Sequence, residues 1–442
     1  MNQRYRLTGM PRRVLILLLL LIVAPLGLGA YLSRRISQLE TAVWERSEFG
    51  ELAGSESVLQ DVVTSQIIPG FLRNRASGLL GDLSYHRKDF KTALDYYGLS
   101  MGRLKDGGFA KLLHSIPAAW QGPGDFHRGY RDYNTSPPPA PSLNDADLEL
   151  PPSTKSLNTE AWRDLTGIPP VDAAEAREIW AWIGSSKEAF PDYDRAEDLL
   201  EKYHGQIVAL RRFHEPMPPP DPDDFSDLVT LRGFAGLMML DALQCAESGS
   251  LDQAGSSFDT AYTLMECPEQ HPRMVTLFSS VNMRSKFADL LESETGGSLR
   301  SFFRQKHCLE EKIWKQLPLV EYQATKRLTA ETMPASDPTA VRLRGRVLAK
   351  QAAFWRGVRE HGTGNSVADF SEAMAGYVFK NRRFFQRADT ASYADGRRAA
   401  EECEDCMAEI VHRLGVPSMG SMDQDFAALH AREAALAQPQ AK

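Results

Sequence analysis

Between Val14 and Leu32 the chain reads VLILLLLLIVAPLGLGAYL, nineteen residues without a charge. Such a run has one way to cross a bilayer, because in hydrocarbon every backbone N–H and C=O must be satisfied within the segment, and an α-helix does that. At about 1.5 Å per residue it comes close to the ~30 Å hydrocarbon core. Pro25 is compatible with that helix, since local adjustments re-satisfy the groups it frees. Arg4, Arg6, Arg12 and Arg13 precede the run; Arg34 and Arg35 follow it, with Glu40 and Glu45 beyond. The positive-inside bias therefore leaves residues 1–13 as a short cytoplasmic tail, makes 14–32 a single-pass transmembrane anchor and exports the body. A cleaved signal peptide is the competing reading, with Gly27 and Gly29 around Leu28 as small residues at the spacing of a cleavage site. The run exceeds the usual apolar core of about 7–15 residues and an arginine pair follows it, which favours the anchor. Either reading puts the body outside the cytoplasm, as a periplasmic domain in a bacterial-type envelope. Ile36, Leu39 and Val43 keep a 3–4 spacing that predicts a juxtamembrane helix to about Trp44.

At 442 residues the chain is longer than one core fills, since single cores stop growing near ~250–300 residues. Two helical subdomains are expected. Residues 1–35 hold six basic and no acidic residues, so the remaining 45 basic against 58 acidic residues leave the rest at −13. An acidic body lacks the basic face that phosphate backbones require, and no nucleic acid partner is expected.

Beyond the anchor, apolar residues recur at helical spacing. Ala196, Leu199, Leu200, Tyr203, Ile207 and Leu210 fall on one face and predict a single amphipathic helix; Met274, Leu277, Phe278, Val281, Ala288 and Leu291 predict another. No stretch alternates with period 2 and β-branched enrichment, so the body reads as all-α, an irregular helical bundle or solenoid. Proline clusters at 134–153 and 215–224, and a third break at Thr332–Pro338, interrupt it. These divide the chain into 33–133, a juxtamembrane helix and first hairpin region; 134–155, a proline-rich linker or loop; 156–414, the main helical body; and 415–442, a C-terminal segment expected to be partly disordered.

Two stretches look like helical hairpins. In LLGDLSYHRKDFKTALDYYGLSM, Leu80 and Gly81 stand in the first helix, Phe90 opens the second, and Ala93 and Tyr97 follow it. In LDALQCAESGSLDQAGSSFDTAYTLMECP, Gly249 marks the turn and Ala254, Phe258 and Ala261 fill the second helix, with Pro268 after its end. Small residues there let two helices cross closely. Both stretches resemble tetratricopeptide repeat units. The second departs from the pattern, with Asp241 and Ala242 where Leu-Gly would stand, and the resemblance covers about 70 residues that do not form a regular tandem array. It implies a surface that binds peptides or proteins.

For chemistry the sequence offers less. It lacks His-Glu-x-x-His, Gly-x-Ser-x-Gly and a P-loop, and no cofactor or metal is expected. Cys403 and Cys406 form a C-x-x-C with no second pair to complete a zinc site; they read as core or surface thiols, or as a thiol pair in an oxidising compartment. Ten basic residues lie between Val341 and Arg387, and Arg356, Arg359, Arg382 and Arg383, near Phe354, Trp355, Phe384 and Phe385, are the candidates for meeting a protein partner. The chain thus reads as a membrane-anchored exported scaffold or adaptor. A hydrolase-like enzyme whose site gathers from distant helices, and a ligand-binding sensor, are the alternatives.

Overall fold

The computed structural model describes residues 27–41, 49–101, 122–136, 138–139, 142–150, 159–184, 193–217, 226–270, 273–293, 296–333, 335–362, 370–416 and 422–438. These are helical, with no strand among them. Residues 14–26 of the expected anchor lie outside the described residues; from 27 to 41 the chain is an α-helix. The described residues fall into two compact units, each drawn from three chain segments: unit 1 from within 1–142, 333–347 and 368–416, unit 2 from within 143–332, 348–367 and 417–442.

Unit 1 is built around the helix Gly70–His86. Leu72, Ala76, Leu79, Leu80 and Leu83 are buried along it, and from Ala76 to Ser84 every residue is buried, the small Gly78 and Gly81 included, so this stretch is enclosed on every side as an interior helix is. Tyr97, Phe126, Met374, Tyr377 and Ile410 complete the core from four other helices. The helix over 27–41 joins it through Ile36 and Leu39. Arg75 fastens that helix, donating to Ser33 Oγ at 3.3 Å, Ser37 Oγ at 2.8 Å and Glu40 Oε2 at 2.7 Å. Glu40 Oε2 also accepts from Gln386 Nε2 at 3.1 Å. The helices Asp125–Thr135 and Tyr393–Leu414 cross backbone to backbone. A Cβ on Gly129 would sit 2.0 Å from the Tyr393 carbonyl oxygen, and one on Gly396 1.9 Å from that of Phe126, so only glycine allows this approach.

Unit 2 is organised on the helix Ser226–Glu247. Among the described residues this is the one helix long and apolar enough to cross a membrane, yet 72% of its most apolar stretch is buried within the protein, where it packs with Trp180, Phe258, Tyr262 and Phe287. A second apolar cluster gathers Trp355, Tyr322, Phe426 and Leu429. The helix expected over Tyr193–Leu210 is instead two, Tyr193–Lys202 and His204–Leu210. Tyr203 between them has φ −98° and ψ 14°, held by its hydroxyl, which donates to Glu175 Oε2 and accepts from the Asp172 N–H at 2.9 Å.

Both hairpins form, and they are built alike. Gly70–His86 packs on Phe90–Ser100, and Ser226–Glu247 on Leu251–Glu269, which runs through Pro268 to Glu269 instead of ending before it. Lys88 and Gly249 occupy the middle of each three-residue turn at φ 62° and 79°. In the first turn Lys88 N–H donates to Tyr85 O and Asp89 N–H to Ser84 O, both at 3.0 Å; in the second, Gly249 N–H donates to Ala246 O at 3.2 Å and Ser250 N–H to Cys245 O at 2.8 Å. Each first helix therefore ends in a Schellman motif. Gly81 lies under the Tyr97 ring, which a Cβ would meet at 2.5 Å, and Leu80, Ala93, Ala254, Phe258 and Ala261 are fully buried, with Phe90 partly so. Each hairpin also contains a buried aspartate on its first helix. Asp82 accepts from the Tyr97 hydroxyl at 3.0 Å and from Arg382; Asp241 accepts from the Ser257 hydroxyl and from Arg211 at 2.5 Å.

Candidate functional site

Helical spacing in unit 1 builds a groove of about 590 Å³. Phe379, Arg383 and Arg387 stand at i, i+4 and i+8 on the helix Phe370–Arg387, with Lys380 and Phe384 beside them; Asp395, Arg398 and Glu402 stand at i, i+3 and i+7 on Tyr393–Leu414. Each set shares one helical face. Tyr85, His86 and Phe126 complete the lining. The Tyr85 and Phe379 rings stack with centroids 4.8 Å apart, and His86 meets Phe379 edge-on at 4.9 Å, which makes an aromatic step in the groove.

Four cations face two carboxylates here. Asp395 is committed to the start of its helix: Ser392 donates to it through N–H and hydroxyl, and those bonds hold its carboxyl below the usual range. Arg398 reaches it at 3.8 Å. Burial opposes the charge on Lys380, but Cys406 and Glu402 beside it prevail and raise its pKa. Burial likewise raises the Tyr85 pKa, so its hydroxyl stays protonated at neutral pH. Arg383 and Arg387 are exposed and pair with no acidic side chain among the described residues.

The other candidates lie elsewhere. Arg382, one position from Arg383, turns inward: Nε donates to Asp82 Oδ1 at 3.2 Å and Nη2 to Oδ2 at 3.3 Å. Arg356 and Arg359 both clamp Asp147 in unit 2, with Nη2–O distances of 2.8 and 3.0 Å, and Arg356 holds its carboxyl down at about 2. Cys403 and Cys406 are buried free thiols on one helix face. Burial pushes the Cys406 thiol up to about 11, even with Lys380 nearby, so it is not a ready thiolate. Among the described residues no three His, Cys, Asp or Glu side chains gather as a metal site would need.

Unit 2 contains a second polar centre. Arg284 is sealed in the core, with Glu269, Glu433 and Glu266 at 2.6, 3.1 and 3.8 Å. His307 Nε2 lies 2.9 Å from Asp259 Oδ1, and its Nδ1 accepts from the Arg304 N–H at 3.0 Å. That acceptor role fixes the tautomer with the proton on Nε2, so both ring nitrogens are committed. Burial lowers the His307 pKa and keeps the ring neutral. Such a histidine has no nitrogen left to take a substrate proton.

Compared with known proteins, the chain matches no family profile, no curated protein and no solved structure. Of the groove residues, Lys380 and Arg387 lie inside the 341–387 charge run without being singled out by it, while Tyr85 and Arg398 lie outside it and Phe379 carries no charge. The i, i+4, i+8 stripe was the signal available.

Proposed function

We propose that this protein is a membrane-anchored adaptor whose exported helical body holds a protein partner in the unit 1 groove. The observation that carries the reading is the pair Arg383 and Arg387, without acidic partners among the described residues, beside a stacked aromatic step. Arginine and aromatic side chains are the types that carry most interface energy. The small-residue crossings of the two hairpins support the same reading through their likeness to tetratricopeptide units. The run at 14–32 supplies the anchor, and the fastening of 27–41 onto the body by Arg75 supports a stiff connection to it.

Affinity capture from detergent-solubilised membranes tests the reading. The chain is expected to stay with the pellet after carbonate washing and to recover a defined envelope protein, with recovery reduced at least tenfold by Arg383→Glu. A mature N-terminus at Ala30 or Tyr31 would remove the anchor. Turnover of a substrate by the body alone, with no partner recovered, would replace the adaptor by the enzyme alternative.

A further inference from the structure

We propose that the groove takes an extended acidic segment of its partner with the pattern aromatic-x-acid-x-acid; this rests on the adaptor reading and names the chemistry of the partner. Phe379, Arg383 and Arg387 succeed one another by four residues on one helix, so their positions rise by about 6 Å per step along the groove wall. Alternate residues of an extended chain lie about 6.6–6.8 Å apart and project to the same side. The two repeats match over three positions. An aromatic side chain then meets the Tyr85–Phe379 step, and one carboxylate meets each of Arg383 and Arg387, whose planar forks suit carboxylates in bidentate geometry.

Charge arrangement selects this ligand over two others. A phosphate group is a single compact dianion that wants converging donors, whereas Arg383 and Arg387 are staggered a full turn apart and suit two separated monoanions. An anionic membrane presents its charges on a plane, whereas these arginines line a recess whose other wall carries Asp395 and Glu402. Those two carboxylates repel a lipid surface of like charge. Toward an extended peptide Glu402 is an acceptor for backbone N–H groups, which every second residue of a strand leaves pointing outward.

The test is fluorescence anisotropy on the full chain in detergent micelles. The probes are fluorescein-labelled Phe-Gly-Glu-Gly-Glu, its reverse Glu-Gly-Glu-Gly-Phe, and versions with Gln for Glu or Ala for Phe. One of the two directions is expected to bind, to lose at least tenfold affinity with Gln for Glu or Ala for Phe, and to weaken as salt rises. The double variant Arg383→Gln/Arg387→Gln is expected to lose at least tenfold, with helicity unchanged by circular dichroism because both side chains are exposed. Equal affinity for the Gln peptides would overturn the proposal. So would displacement of the peptide by equimolar inorganic phosphate, or binding only to vesicles of equal phosphatidylglycerol and phosphatidylcholine. If no peptide binds while the captured partner is still lost in the double variant, the pattern is wrong and the adaptor reading stands. If the double variant captures the partner normally, the groove is not the binding site and both fall.

Discussion

Arg284 donates through Nε and Nη2 to the two carboxylate oxygens of Glu269, at 2.6 and 2.9 Å, in the interior of unit 2. Its Nη1 reaches Glu433 on the helix Met422–Leu436, and the second oxygen of Glu433 accepts from the Leu309 N–H at 2.6 Å. Removing one partner of a buried ion pair strands the other, at a cost of about 3–5 kcal/mol. Arg284→Met is expected to destabilise by at least about 3 kcal/mol in urea denaturation. Arg432→Gln breaks a half-exposed pair with Asp289 and Glu292 and is expected to cost less than about 1 kcal/mol. Similar losses for the two variants would contradict this ranking.

The same centre makes stability depend on pH. Burial pushes the Glu266 carboxyl up to about 7 from 4.5, against the pull of Arg284 and with Glu269 adding to the rise. Its folded pKa lies above its unfolded one, so the folded state binds the extra proton. This contribution is full below pH 4.5 and is lost as pH rises through about 7. Glu266→Gln keeps the neutral form at every pH. It is expected to match the wild type near pH 4.5 and to exceed it at pH 8 by up to about 3 kcal/mol, as unfolding at the two pH values will show. A difference that does not grow with pH would count against it.

The hairpin turns make opposite predictions at equivalent positions. Lys88 pays the left-handed strain that Gly249 avoids. Lys88→Gly is expected to raise stability by up to about 1 kcal/mol, and Gly249→Ala to lower it by about 1 kcal/mol. Thermal midpoints that move together would contradict the shared turn geometry.

At the crossing of Asp125–Thr135 with Tyr393–Leu414, a methyl on Gly396 meets a carbonyl that cannot swing aside. Gly396→Ala is expected to cost about 1–3 kcal/mol or more. Gly205→Ala, in a helix with open space around its Cβ position, is expected to stabilise by up to about 1 kcal/mol. Chemical denaturation of the two variants should separate them in sign.

What the sequence reveals here is mostly local. The face Met274, Leu277, Val281, Ala288 and Leu291 is legible because core burial at 3.6-residue spacing leaves its mark on the same few residues it organises, although Phe278 points outward. The hairpins are legible because close crossings demand small residues within one short stretch. Contacts between remote segments leave no such mark. Tyr203 ends a helix because of Asp172 and Glu175, which no periodicity registers. Arg382 and Arg383 look equivalent in a charge run, yet one is drawn inward by Asp82, three hundred positions away, while the other faces the groove. Gly129 and Gly396 read as ordinary helix-weakening glycines until the two backbones are seen to touch.

Glu40 Oε2 accepts both from Arg75 and from Gln386, next to Arg387. The helix that leads back toward the apolar run is thereby riveted to the helix that carries the groove, and unit 1 has no swivel at residues 27–41. On the adaptor proposal, an anchor continuous with this helix would set the compass heading of the groove and present a captured segment in one direction instead of letting it sweep around a tether.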